Sequence, residues 1–253
     1  MNSYGALAGA YDALTTDVRY LRRADFLERL FRKSLIPVHT VLDLACGTGT
    51  LSCLLAERGY GVTAVDASED MLAVAQQKAE GLVSPPLFLH QSMPRLRLLE
   101  PVDAVICTLD AINYLTKPAD VQRTFERVSR WLKPGGQFIF DINSVQKLRR
   151  MDGQMYLDET DDIYCVWRTR YSSRTRIATY WVDLFQKRKD GTWERSCEEH
   201  RERAYEIDEL TGYLRAAGFD RIFVTGDLRS APPRADEDRV IFRCIRGKQE
   251  IKP

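Results

Sequence analysis

Residues 39–59 read HTVLDLACGTGTLSCLLAERG, and their order decides the fold. His39 to Leu44 is a short, β-branched and apolar run, the mark of a buried strand. Ala45-Cys46-Gly47-Thr48-Gly49 follows as a turn of small residues, and TLSCLLAERG then carries the apolar spacing of a helix. In such a strand, loop and helix unit, small residues let the backbone approach a ligand closely while unpaired N–H groups at the helix start face it. Ala45, Gly47 and Gly49 suit that role.

Downstream the alternation continues. Gly61 to Val65 is a second strand, ending at Asp66, and Ser68 to Ala79 opens with a capping serine and an acidic first turn before a helix. Pro86 to His90 and Val102 to Cys107 read as strands three and four, Val121 to Leu132 as a helix, and Gly136 to Asn143 as a fifth strand. Alternation of this kind predicts a mostly parallel sheet with helices on both faces. Upstream, Tyr20, Leu21, Phe26, Leu27, Leu30 and Phe31 recur at helical spacing within 19–35, ahead of Pro37.

Beyond Asn143 the pattern changes. YCVWRTRY and IATYWVDLFQK are β-prone runs, followed by an Asp190-Gly191 turn and WERSCEEHRERAY, which together predict an antiparallel insertion. Ile207 to Ala217 returns to an amphipathic helix closed by Gly218, and Arg221 to Thr225 and Arg239 to Ile245 supply two last strands. The expected architecture is therefore α/β: a Rossmann-like sheet of seven mostly parallel strands with an antiparallel β cap inserted after the fifth. The expected division is a helical N-terminal segment at 1–36, the Rossmann-like domain at 37–150 and 206–247, and the inserted cap at 151–205. The final GKQEIKP reads as a frayed tail.

Composition narrows the function classes. With 37 basic and 36 acidic residues in a 253-residue chain, the formal charge is +1, and nothing calls for nucleic acid or an anionic membrane. Met1 to Gly9 lacks the basic start and apolar run of a secretory leader, so a cytoplasmic location is expected. Six scattered cysteines without CxxC pairs, and His39, His90 and His200 far apart in sequence, predict free thiols and no metal site.

Asp66, 19 residues after Gly47, stands at the tip of the second strand, where a carboxylate can accept two ribose hydroxyls. VLDLACGTGTLS, VTAVDASEDML, VDAVICTLDAINYL and VSRWLKPGGQFIFDIN resemble, in order and spacing, the successive motifs of class I S-adenosylmethionine (SAM)-dependent methyltransferases over about residues 38 to 145. The resemblance implies SAM as cofactor, with Asp43, Ala45, Cys46, Gly47 and Gly49 beside its methionine part. Ala45 stands where the family has its first glycine. The same resemblance makes Asp66 the ribose ligand, places Ala67 and Met71 along the adenine, and puts Gln91-Ser92-Met93 at its edge, with Ser92 where the family often has an acid. A dinucleotide fingerprint, G-x-G-x-x-G, is not met, because Ser52 occupies the last position and SAM has no pyrophosphate to seat.

Thr108 to Tyr114 occupies the place where the family lines the reacting end of SAM. Thr108 and Leu109 would face the cofactor and Asn113 and Tyr114 the acceptor; the alternative is a loop serving only the next helix. YDALTTDVRY resembles the N-terminal lid of small-molecule methyltransferases, with Tyr11 its best contact, Tyr20 a second and Tyr4 preceding them; Tyr11 as a packing aromatic is the competing reading. In the insertion, which resembles the β-rich cap of glycine or amino-sugar N-methyltransferases, His200 could accept a proton and Arg203 hold an acidic group, or both belong to a solvated strand face. Tyr11 and His200 are thus the candidate catalytic residues.

Methyl transfer to a small-molecule acceptor by a monomer or homodimer is the function expected. A non-catalytic SAM-binding module, with Trp167, Tyr171, Tyr180, Trp181 and Trp193 at a protein interface, is the alternative. A nucleic-acid or protein methyltransferase ranks third: LDAI replaces the NPPY-like tetrad of base methylation, and phosphate contacts would need more basic surplus.

Overall fold

The computed structural model describes residues 7–15 and 18–247. Tyr4 and the tail from residue 248 lie outside the described residues. The first sheet contains β1 (Thr40–Leu44), β2 (Gly61–Asp66), β3 (Leu87–His90), β4 (Val102–Cys107), β5 (Leu132–Asn143), β10 (Phe219–Gly226) and β11 (Arg239–Arg246), in the order β3-β2-β1-β4-β5-β11-β10. β11 runs antiparallel to β5 and β10, and the remaining pairings are parallel. From β1 the chain builds outward to β2 and β3, then returns to lay β4 on the other side of β1. Where strand order reverses in this way, the carboxyl ends of two strands open a crevice.

Period-two alternation buries both faces of this sheet. Val41, Ala104, Ile106, Ile139 and Ile241 meet helices α2 (Tyr20–Phe31) and α3 (Thr50–Glu57) on one side. Their neighbours Leu42, Val105, Phe138, Phe140 and Phe242 meet α5 (Pro118–Trp131) and α7 (Ile207–Ala216) on the other. Phe140 stacks on Phe138 at 4.8 Å and on Phe242 at 4.7 Å; such pairs add about 0.5–1.5 kcal/mol each beyond the area they bury. At the opposite edge from the crevice, Asp103 accepts from the His39 and Thr40 amides at 2.9 and 2.8 Å and pairs with Lys133 at 2.7 Å, so one carboxylate ties the starts of β1, β4 and β5 together.

The second sheet is antiparallel, in the order β6 (Met155–Glu159), β7 (Ile163–Ser172), β8 (Ile177–Lys187), β9 (Trp193–Arg203), with Gly191 at φ +83° in the β8–β9 turn. Its inner face, Cys165, Val182 and Leu184, packs on Leu7 and Ala10 of the N-terminal segment, while Ala178 and Tyr180 pack on α6 (Val145–Arg150). α1 (Tyr11–Leu14) therefore lies between the cap sheet and the crevice. The cap aromatics are not gathered on one face: Tyr180 is buried, whereas Trp181 beside it and Trp193 are exposed.

The sequence reading differs from these elements at a few places. α6 was not anticipated. α5 starts at Pro118, where a proline without an N–H is at no disadvantage. β5 starts at Leu132, because that residue pairs with Val102 before an irregularity at the Lys-Pro-Gly-Gly stretch. Among the described residues no helix is long and apolar enough to cross a membrane.

Candidate active site

A cavity of about 380 Å³ opens at the carboxyl ends of β1, β2 and β4. The loop after β1 forms its floor because three alternate small-residue positions take left-handed backbone: Ala45 at φ +62°, Gly47 at +55° and Gly49 at +72°. Only glycine adopts that region without cost, so Ala45 carries local strain of about 1 kcal/mol. A Cβ placed on Gly47 would meet nothing within 4 Å, so the cavity comes up against bare backbone there. At Gly49 the same atom would sit 2.8 Å from the Ala75 Cβ. Gly49 accordingly does not line the cavity; it lets α3 approach α4 (Glu69–Lys78), which corrects its expected place beside the ligand.

Two carboxylates flank the loop. The Gly47 amide donates to Asp66 at 2.8 Å and the Ser68 amide does so at 2.9 Å, which holds the Asp66 side chain at the cavity wall and leaves its other lone pairs for hydroxyl donors. Burial raises the Asp66 pKa, opposed by the backbone donors of Ser68, Gly47 and Ala67. Asp43 is buried at 2% exposure and accepts a 2.5 Å hydrogen bond from Ser52. Burial pushes its pKa up to about 7, against the Ser52 bond and with the help of the nearby Asp66 charge. No lysine or arginine among the described residues pairs with Asp43, so this end of the cavity suits a cationic ligand.

Beyond Asp66, the walls are Ala67, Met71, Gln91, Ser92 and Met93. Ser68 caps α4 by accepting from the Met71 amide at 3.2 Å, and the Gln91 side chain is spent on both backbone groups of Arg97, at 2.8 and 3.0 Å. Across the cavity, Thr108 and Leu109 follow β4. Leu109 and Asp110 both have positive φ, +60° and +57°, and the turn is held by the Leu109 amide donating to buried Asp141 at 2.7 Å and by Arg239, which binds both Asp141 and Asp110. Two non-glycine residues in this region cost about 1–2 kcal/mol each unless their surroundings fix them. Tyr11 and Tyr20 form the roof, and burial raises both phenols, Tyr20 to about 12.

Every residue expected beside the cofactor except Gly49 therefore lines one cavity, and Tyr114 joins them. Three expected acceptor contacts do not. Asn113 is fully buried, donating to the Asn143 and Arg203 carbonyls at 3.2 and 2.9 Å and accepting from the Asn143 amide at 3.0 Å, so its amide is used in joining the turn to β5 and β9. Arg203 turns toward the Thr175 carbonyl and Glu209 and lies over the Tyr205 ring. His200 is 2% exposed and lies behind Tyr114, ring centroids 6.0 Å apart, with Nε2 3.0 Å from Glu198. The alternative of a solvated strand face does not hold for His200 either, because the cap folds Glu198, His200 and Glu202 of β9 inward.

Ala111, within the expected Thr108 to Tyr114 stretch, lines the cavity, and so do Thr48, Leu51, Ser68, Pro94 and Leu115, which the motifs do not indicate. Thr48 and Ser68 adjoin predicted residues, and adjacency alone could have suggested them; nothing local marks Leu51 or Leu115.

The methyltransferase-domain family profile matches residues 41–136. "Putative methyltransferase YqeM" of Bacillus subtilis is 33% identical over 97% of this chain and 98% of its own length. This chain belongs to the class I SAM-dependent methyltransferases. A crystal structure of a SAM-dependent methyltransferase from Clostridium acetobutylicum superposes with a TM-score of 0.87 at 28% identity, covering 97% of this chain and all of that one. The SAM-bound amino pentose methyltransferase CalS10 of Micromonospora echinaspora shares the fold, with a TM-score of 0.75 at 20% identity over 97% of this chain and 98% of its own. SAM is the cofactor. The residues present fit it: a buried carboxylate without a lysine or arginine partner among the described residues, a second carboxylate at the rim, and open space above Gly47.

Proposed function

We propose that this methyltransferase acts on a small-molecule acceptor seated between Leu109, Tyr114 and Tyr11. In this reading Asp66 accepts the ribose hydroxyls of SAM, Ala45 to Gly47 and Asp43 hold its methionine end, and Ala67, Met71 and Gln91 to Met93 receive the adenine. Bound SAM supplies a methyl group already activated on a sulfonium, so no enzyme nucleophile is needed. The chain's work is alignment and exclusion of water, for which orientation contributes on the order of 7–11 kcal/mol at best. Tyr11 and Tyr114 close the reacting end, and the Asp141–Arg239 pair fixes the turn that presents Leu109.

The observation that carries the reading is one open cavity in which the acidic, glycine-floored end and the aromatic end are continuous. Its mouth, roofed by the N-terminal segment and backed by the cap, suits an acceptor of metabolite size better than a polymer. A cytoplasmic location belongs to the same proposal, supported by six free thiols. The division into a lid segment, a Rossmann-like domain and a cap at 151–205 is proposed likewise.

The test uses methyl-labelled SAM and a cell extract split into dialysable and macromolecular fractions. Label appearing in the dialysable fraction, with release of S-adenosylhomocysteine (SAH), supports the reading. Label confined to protein or nucleic acid sinks it, and SAM binding without turnover in either fraction would mark a non-catalytic module.

A further inference from the structure

Glu198 stands on β9, outside the cavity, with its side chain 9% exposed. One carboxylate oxygen accepts the Leu7 amide at 3.0 Å, and the other lies 3.0 Å from His200 Nε2. The two contacts lead to opposite walls of the cavity. Leu7 lies in the segment that carries Tyr11 into the roof, and His200 meets the Tyr114 ring edge-on, at an interplanar angle of 86°. Further along that segment, Asp12 accepts from Thr48 at 2.7 Å and from Lys78 at 2.6 Å, so the roof is fastened to the glycine loop at one end and to the cap at the other. Leu7 and Ala10 pack against Cys165, Val182 and Leu184, and the Glu198 bond adds a directional contact to this apolar packing.

We propose that Glu198 is a positioning residue for the reacting end of the cavity, holding the N-terminal segment with one oxygen and, through His200, Tyr114 with the other. The inference rests on the reading that SAM and its acceptor occupy this cavity. Tyr11 and Tyr114 come to the mouth together because one carboxylate, on a strand that does not line the cavity, is shared between their supports. His200 thereby acts through Tyr114 rather than on the acceptor.

The test compares full-length wild type, Glu198→Ala and Glu198→Gln by amide hydrogen exchange without ligand and by the dissociation rate of SAH. Glu198→Ala should speed exchange across residues 8–15 and SAH release about tenfold each, with protection of β1, β4 and β5 unchanged, as expected for local opening of one hydrogen-bonded segment. Glu198→Gln keeps an acceptor for the Leu7 amide and should return exchange in that segment to within about twofold of wild type. Should Glu198→Ala not fold, Leu7→Pro deletes the same donor and carries the same expectation for residues 8–15. Unchanged exchange in the segment, or protection lost evenly along the chain, overturns the proposal. Failure of wild type to bind SAH overturns the cofactor placement instead, while the ligand-free exchange still decides the role of Glu198.

Discussion

The Ser52 hydroxyl donates a 2.5 Å hydrogen bond to the Asp43 carboxylate, and both side chains are buried. That single neutral donor does not offset burial, so the ligand-free carboxyl titrates near neutrality, pushed up to about 7 by desolvation and by the Asp66 charge. The folded-state value lies above the unfolded one. Between about pH 4 and 7 the folded chain therefore binds the extra proton, and stability falls as pH rises through that window. Asp43→Asn should be more stable than wild type by about 1–3 kcal/mol at pH 8, with the gap closing toward pH 5. SAM affinity should move the other way: in wild type it rises several-fold from pH 6 to 7.5 as Asp43 ionises, and in Asp43→Asn it is weak and flat over that range. Denaturant titrations and calorimetry at the stated pH values check both; a wild type whose SAM affinity falls over that range would contradict this account of Asp43.

The two loop glycines should fail differently. Gly47→Ala places a methyl in the cavity, where nothing else stands, so it should weaken SAM binding at least about tenfold for a stability cost of about 1 kcal/mol from its positive φ. Gly49→Ala drives a methyl against Ala75, including its backbone, and should cost about 2–4 kcal/mol of stability. Melting curves and SAM titrations on the pair separate the two; equal losses of stability would show that Gly47 is also a packing position.

At the far edge of the sheet, burial works against the Asp103 carboxylate, but Lys133 and the donors of His39 and Thr40 outweigh it and hold its pKa down to about 2. A depressed folded-state value gives stability that is present above pH 4 and is lost as pH falls toward 2. Asp103→Asn should cost about 2 kcal/mol at pH 7 and nearly nothing at pH 2, with SAM affinity unchanged because the residue lies at the opposite end of β4 from the cavity. Chemical denaturation across that pH range is the measurement, and a deficit that persists at pH 2 would assign the loss to packing.

How much was legible in the sequence follows from which interactions are local. Val41 to Ser52 encodes its strand, turn and helix within one stretch, and Asp66 ends a strand whose apolar run is short and unbroken, so the cofactor side of the cavity could be assembled from motif order. Asn113 stays out of the cavity because its partners lie far along the chain, the Arg203 carbonyl 90 residues away among them. His200 and Arg203 have side-chain partners close in sequence, Glu198 and Glu209, and only the folding of the cap decides which way they face. Alternating charges in β9 look like a solvated face until the cap turns Glu198, His200 and Glu202 inward. Glu202 itself, buried and with its pKa pushed up to about 8 chiefly by desolvation, carried no local signal at all. Gly49 shows the converse: a motif residue was read as a ligand contact, but its missing side chain serves helix packing.

Calorimetric titration of SAH into wild type and Asp66→Ala tests the central claim most directly, since Asp66 joins the glycine loop to the rim through the Gly47 amide. Wild type should show one site per chain, and Asp66→Ala a loss of affinity of about 2–4 kcal/mol, the value of two charge-assisted hydrogen bonds, with the fold retained. Wild type that takes up no SAH, or a folded Asp66→Ala that binds it equally well, would contradict the claim.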